Sequence, residues 1–119
     1  HMIGHAIGAY TNATHGFTLS AISPTYYRHM LDNEVKRFAR FATVVWGINP
    51  EGKTEKELAL AGIDALANWI EEIGAATNLS SLGTTENMLD GIADATIIIG
   101  SGYKKLNREE LIMILKESM

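Results

Sequence analysis

The chain has 119 residues, is 46% hydrophobic and 20% charged, contains no cysteine and carries a formal charge of −4. This length suits one domain or part of a larger one, the acidic balance argues against a primary nucleic-acid binder, and the lack of cysteine excludes disulfides, thiolate metal sites and thiol nucleophiles. No apolar run approaches the ~18 residues needed to cross a bilayer, and the first residues lack the layout of a secretion signal, so we expect a cytoplasmic protein that does not bind membranes.

Helical periodicity runs through nearly the whole chain, which predicts an all-α helical bundle formed by residues 1–119 as a single unit. The first helix is expected over residues 1–12, with Ile3, Ile7 and Tyr10 on one face. A second apolar stretch, residues 17–31, contains Pro24, which should kink the helix or begin a new turn.

The third and fourth helices carry clear end signals. Asp32 or Asn33 is expected to cap the third helix, whose predicted core stripe is Val35, Phe38, Ala39, Ala42 and either Val45 or Trp46. Thr54 and Glu57 match a capping box at the start of the fourth helix, and Gly74 is the expected stop. The fourth helix has a predicted core stripe of Leu58, Ala61, Ala65, Leu66, Trp69, Ile70 and Ile73.

Two shorter helices are predicted in the last third of the chain. One covers residues 86–96, and residues 97–99 either extend it or form a short buried strand. Asn107 and Glu110 repeat the capping pattern before the last helix. The inward positions of these two helices are expected to be Leu89, Ile92, Ala93, Leu111, Ile114 and Leu115.

The histidines are the residues that point to chemistry, because three of the four fall within the first sixteen positions. His1 and His5 lie one helical turn apart on one face, and His15 follows a break through which the chain could return toward them. Neutral imidazoles bind Zn, Fe, Cu or Ni, so spacing alone favours a His1–His5 metal pair; ordinary polar histidines are the alternative. His29 is expected to be a surface residue.

The small residues around these histidines need a separate explanation. An interior helical glycine costs ~1 kcal/mol relative to alanine, yet Gly4 and Gly8 both lie in the first predicted helix. They indicate a close approach to the backbone, either by a packed helix or by a ligand.

The block His1-Met-Ile-Gly-His5, followed by Thr14-His15-Gly16, Leu19 and Pro24, resembles the C-terminal helical domain of iron-containing alcohol dehydrogenases. Within that family it is most similar to the NAD(P)H-dependent butanol dehydrogenases. The similarity continues to the end of the chain, through Val45-Trp46-Gly47, residues 63–66, residues 73–80 and residues 106–110.

The resemblance implies a role for each histidine. The family holds one divalent metal, Fe²⁺ or Zn²⁺, through an aspartate and three histidines, and the last two of these histidines match His1 and His15. His5 matches a histidine beside the substrate and the nicotinamide, which implies a catalytic role in proton relay. His1-Met2 is also what a cleaved affinity tag leaves behind, so His1 has two interpretations.

The implied reaction is NAD(P)(H)-dependent interconversion of a primary alcohol and its aldehyde, with the metal as a Lewis acid. The resemblance also implies that the chain is the second half of the metal-binding helical domain, without the nucleotide-binding domain. We therefore expect the isolated chain to be inactive and to hold neither metal nor NAD(P) stably. The alternative is a non-catalytic helical module that acts through a partner or a homo-oligomer, with Ile3, Ile7, Phe17 and Ile22 as the candidate contact surface.

Overall fold

The computed structural model describes residues 1–119 and confirms the all-α fold. Its smallest dimension is 19 Å, which leaves room for about two layers of helices of ~10–12 Å diameter. None of the helices is both long enough and apolar enough to cross a membrane. The helices are α1 (Met2–Thr11), α2 (His15–Met30), α3 (Val35–Val44), α4 (Glu55–Glu72), α5 (Leu89–Ala95) and α6 (Arg108–Glu117), with single 3₁₀ turns at Leu31–Asn33, Ser80–Leu82 and Glu86–Met88.

The two predicted capping boxes are both confirmed. The Thr54 hydroxyl accepts a hydrogen bond from the Glu57 amide, and the Glu57 carboxylate accepts one from the Thr54 amide at 2.8 Å. Asn107 and Glu110 make the same reciprocal pair at 2.9 and 3.0 Å. Each box satisfies two backbone N–H groups that have no partner within the helix, and so it fixes where α4 and α6 begin.

Helix α2 continues through Pro24, so this proline does not begin a new helix. Two other local predictions were wrong in detail. The residue that caps α3 is Glu34, because Asp32 and Asn33 are taken up by a 3₁₀ turn. Residues 97–99 form neither helix nor strand. The backbone turns extended at Thr96, where α5 ends, and the Thr96 hydroxyl donates to the Ile92 carbonyl in its last turn.

The core consists of two clusters. The first joins α1, α2, α5 and α6. All six inward positions predicted for the last two helices are buried, and all of them except Ile114 belong to this cluster. It also contains Ile3, Ile7 and Ile22, three of the four residues predicted to form an exposed contact surface. That prediction was wrong because α5 and α6 pack over them; only Phe17 stays exposed.

The second cluster joins the end of α2 to α3 and α4, and its members are Met30, Leu31, Phe38, Ala39, Ala42, Leu58, Ala59 and Ile63. The predicted stripes of α3 and α4 are correct in part. Val45 is 60% exposed, and Trp69 and Ile73 are 45% and 53% exposed. The buried face of α4 keeps Leu58 and Ile70 of the predicted stripe. It also contains Ala59, Gly62 and Ile63, because small residues allow α3 to approach closely on that side.

Helices α3 and α4 run in the same direction. Near their starts, Lys56 pairs with Asp32 at 2.8 Å. Near their ends, the Trp46 and Trp69 rings lie 6.4 Å apart. Between these contacts, a Cβ on Gly62 would lie 2.9 Å from Ala42 Cα. Residues 45–54 therefore return along the pair to allow the parallel arrangement.

Candidate functional site

The turn between α1 and α2 brings the three N-terminal histidines to one end of the molecule. Helix α1 ends at Asn12, which adopts a left-handed conformation with φ of 56°. The Thr11 hydroxyl accepts a hydrogen bond from the Ala13 amide at 3.2 Å and donates one to the Ile7 carbonyl. Helix α2 then begins at His15, so the chain reverses within three residues.

Gly4 determines how closely α1 approaches α2. A Cβ at this position would lie 2.8 Å from Leu19 Cδ2 and 3.0 Å from the Thr18 hydroxyl. Gly8 has no contact of this kind, since the nearest atom is 3.8 Å away. The structure therefore favours helix packing over ligand approach as the reason for Gly4.

The three imidazole rings lie next to one another. The ring centroids of His5 and His15 are 4.8 Å apart, those of His1 and His15 are 5.5 Å apart, and those of His1 and His5 are 6.3 Å apart. All three residues are exposed. Spacing alone left open whether His15 returns toward the first helix. In the structure its ring lies next to those of His1 and His5.

These separations distinguish between the possible ligand pairs. With metal–nitrogen bonds of ~2.0–2.1 Å, two imidazoles at a tetrahedral angle have centroids about 5.2 Å apart. The His1–His15 and His5–His15 separations lie close to this value, whereas the His1–His5 separation would require a far wider angle. The pair that spacing alone favours is thus the one that fits worst.

The histidines do not form a complete metal site in these 119 residues. No group of three or more His, Asp or Glu side chains is arranged to hold a metal ion. Two neutral imidazoles suit iron or zinc chemically, so the donor set fits part of a site.

His29 lies outside this cluster, as expected, but it is not a simple surface residue. Its side chain is 21% exposed and its Nε2 lies 2.8 Å from a carboxylate oxygen of Glu117. This contact joins α2 to α6 and explains the residue structurally.

A cavity of about 500 Å³ lies beside the histidine cluster, and sequence reasoning missed it. Its lining includes His1, Ile22 and Tyr26 of α2, and residues 97–99. Burial raises the pKa of the Tyr26 hydroxyl, with smaller contributions from Tyr27 and Tyr103. The one sequence signal was the run of three isoleucines, which we interpreted as part of a helix or strand.

Comparison with known proteins gives matches over the whole chain. Residues 1–119 match the family described as Fe-containing alcohol dehydrogenase family, C-terminal. The chain is 34% identical to the probable NADH-dependent butanol dehydrogenase 1 of Bacillus subtilis and 27% identical to the NADH-dependent butanol dehydrogenase B of Clostridium acetobutylicum, and each alignment covers 100% of this chain.

The structural matches agree with this result. The crystal structure of NADH-dependent butanol dehydrogenase A from Thermotoga maritima superposes with a TM-score of 0.88 at 29% identity, over 99% of this chain and 32% of that one. The fold alone is also shared with a 1,3-propanediol oxidoreductase, with a TM-score of 0.93 at 24% identity, over 100% of this chain and 32% of that one. The chain spans only 31% and 32% of the length of the Bacillus and Clostridium relatives. The match along all 119 residues shows that this chain belongs to the iron-containing alcohol dehydrogenase family and corresponds to its C-terminal region.

Proposed function

We propose that residues 1–119 form part of the metal-binding half of an alcohol dehydrogenase that interconverts primary alcohols and aldehydes with NAD(P)(H). His1 and His15 are the metal ligands, and His5 is the residue that exchanges a proton with the substrate. The observation that supports this proposal is the meeting of three imidazoles from two helices, with a His1–His15 separation of 5.5 Å. The proposed reaction is based on the family to which the chain belongs and on the butanol dehydrogenases among its relatives.

The metal, Fe²⁺ or Zn²⁺, would act as a Lewis acid on the substrate oxygen. His1 and His15 supply two neutral nitrogen donors, so the remaining ligands have to come from a segment outside these 119 residues. The relatives are about three times as long as this chain, which leaves room for those ligands and for a nucleotide-binding domain. We therefore expect the isolated chain to show no NADH oxidation with butanal, and steady NADH oxidation would contradict this expectation.

His5 is suited to proton exchange by its position. It lies one turn from His1, its ring contacts that of His15 at 4.8 Å, and it is exposed. An imidazole nitrogen can accept or donate a proton, so His5 can take a proton from an alcohol or return one to the alkoxide that forms from an aldehyde.

Zinc titration of the purified chain tests the assignment of the ligands. We expect weak binding that His15→Ala reduces by at least ~10-fold, since even residues that only support a ligand contribute this much. His5→Ala should leave the affinity close to that of the parent. The measurement is isothermal calorimetry, with histidine ring resonances followed by NMR to locate the ion.

His29→Ala serves as the matched control, because His29 is a histidine outside the cluster. Equal losses from His29→Ala and His15→Ala would contradict the proposed site. A large loss from His5→Ala, with none from His15→Ala, would favour the His1–His5 pair instead.

A second candidate function is self-association of a non-catalytic helical module. It is favoured by the exposed apolar side chains at the ends of α3 and α4, where Val44, Val45, Trp69 and Ile73 are all exposed. Light scattering tests it: a monomer at all protein concentrations would contradict self-association.

A further inference from the structure

The start of α3 and the end of α4 carry charges of the unfavourable sign for their helix ends. Lys36 and Arg37 lie in the first turn of α3, which contains no acidic residue. Glu71 and Glu72 are the last two residues of α4, whose last turn contains no basic residue. Because the N-terminal end of a helix is partially positive and the C-terminal end is partially negative, each pair is repelled by its own helix. Opposite charges from outside these helices would relieve both repulsions.

These charges also lack ion-pair partners within the chain. The ion pairs of the protein involve other side chains, and Arg37, Arg40, Glu71 and Glu72 are all exposed. Arg37 lies over the ring of Tyr103, with its guanidinium carbon 5.9 Å from the ring centroid. Arg40 has no contact of this kind, so it is the cation of α3 that is free to bind a carboxylate.

The exposed face of α3 combines cations with apolar side chains. Arg37, Arg40, Phe41, Val44 and Val45 line one shallow groove. The spacing of positions 37, 40, 41 and 44 is that of a single helix face. Val44 and Val45 are 68% and 60% exposed. The groove is therefore basic toward the start of α3 and apolar toward its end.

The end of α4 has a matching composition with the opposite charge. Trp69, Glu72 and Ile73 are three and four residues apart, which places them on one helix face. Trp69 and Ile73 are 45% and 53% exposed. The ring of Trp69 lies 6.4 Å from that of Trp46, which follows α3. An apolar and acidic surface thus lies next to an apolar and basic one.

We infer that a second copy of this chain docks on the groove, so that Arg40 of each copy pairs with Glu72 of the other and the exposed apolar side chains meet between them. Because α3 and α4 run in the same direction, a two-fold axis perpendicular to them places the start of α3 in one copy beside the end of α4 in the other. The same rotation forms both contacts at once, as in an isologous interface. The inference deepens the second candidate function, self-association, on which it rests, and it does not involve the histidines.

Light scattering at rising protein concentration, with and without zinc, tests this docking. We expect a dimer that salt weakens, because the Arg40–Glu72 pairs form at the exposed edge of the interface. Arg40→Glu and Glu72→Arg should each weaken dimerisation by ~10-fold or more, since each variant places like charges opposite each other. The two substitutions together exchange the charges and should restore most of the parent's affinity.

Lys105→Glu is the matched control for Arg40→Glu. Lys105 is an exposed cation outside both helices that makes no ion pair. Its substitution makes the same change in net charge and should leave dimerisation close to that of the parent. Equal weakening from the two variants, or no recovery in the double variant, would overturn the inference. Circular dichroism verifies that all variants keep the helical fold, which the exposure of these side chains favours.

The outcomes separate this inference from the functions proposed above. A dimer that none of these variants weakens would overturn it and leave self-association standing. A monomer at every concentration would contradict self-association as well, without bearing on the metal ligands. A dimer that forms only with zinc would place the contact at the histidines, which also overturns the inference.

Discussion

The two halves of the core are held together by different kinds of contact. In the α3–α4 half, backbone lies almost against backbone, because Gly62 faces the Cα and amide nitrogen of Ala42. In the half that carries the histidines, α1 and α2 also meet at a glycine, but Gly4 faces the side chains of Thr18 and Leu19. Side chains can turn aside while backbone cannot, so the two halves should tolerate added volume very differently.

Replacement of each glycine by alanine should give the largest effect. Gly62→Ala should be less stable than Gly4→Ala by about 1–3 kcal/mol, the usual cost of overpacking a core. Both positions lie inside helices, so both variants gain the same ~1 kcal/mol of helix propensity, and their difference isolates packing. Urea unfolding followed by circular dichroism measures it.

Gly8→Ala is the control for this pair. Its nearest neighbouring atom is 3.8 Å from the added Cβ, so this variant should be as stable as the parent or slightly more stable. If Gly62→Ala and Gly8→Ala unfold at the same urea concentration, the close contact with Ala42 is not a constraint on the fold.

The contrast also explains which features the sequence allowed us to predict. The capping boxes at Thr54 and Asn107 are contained within four residues each, so their patterns were sufficient. The face that α4 buries was predicted less well, because this helix has apolar or small residues all around it. Only the position of α3 decides that Gly62 and Ile63 are covered while Trp69 and Ile73 are not.

The candidate site shows the same division. The residue types and the resemblance nominated His1, His5 and His15 from the sequence. The 5.5 Å separation of the His1 and His15 rings depends on the turn at Asn12 and on the packing of α1 against α2 at Gly4. Neither feature can be predicted from the spacing of residues along a helix. The cavity could not be predicted at all, because its two walls come from residues about seventy positions apart in the chain.

Loss of the cap at the start of α6, a helix of the histidine-bearing half, should have an intermediate effect on stability. Asn107→Ala removes the side chain that accepts a hydrogen bond from the Glu110 amide at 2.9 Å and should lower the free energy of unfolding by ~1 kcal/mol. Asn107→Ser keeps an oxygen that can accept the same bond, and it should retain most of the stability. Equal urea midpoints for the two variants would show that the cap contributes nothing.

The smallest effect concerns the ion pairs that connect α5 to α6, and it depends on pH. Arg108 donates hydrogen bonds to Asp94 at 2.6 Å and to Asp90 at 2.8 Å. The bond from Arg108 holds the pKa of the Asp94 carboxyl below its ordinary value of 3.8. Lys104 and the Asn107 amide likewise lower the pKa of Glu110 below 4.5.

A carboxyl whose pKa is lower in the folded protein stabilises the fold above its unfolded pKa and loses that contribution as pH falls through the folded value. The unfolded chain binds more protons in this window, so stability should rise with pH from below 3.8 to above 4.5. Asp94 is exposed, and solvent screening keeps such contributions small. In urea unfolding across this window, Asp94→Asn should therefore flatten the pH dependence of stability only slightly.

Glu86→Gln, which removes an exposed carboxylate outside these ion pairs, should leave the pH dependence of the parent's stability unchanged. If Asp94→Asn and Glu86→Gln change the slope equally, the contact of Arg108 with Asp94 does not stabilise the packing of α5 against α6 in solution.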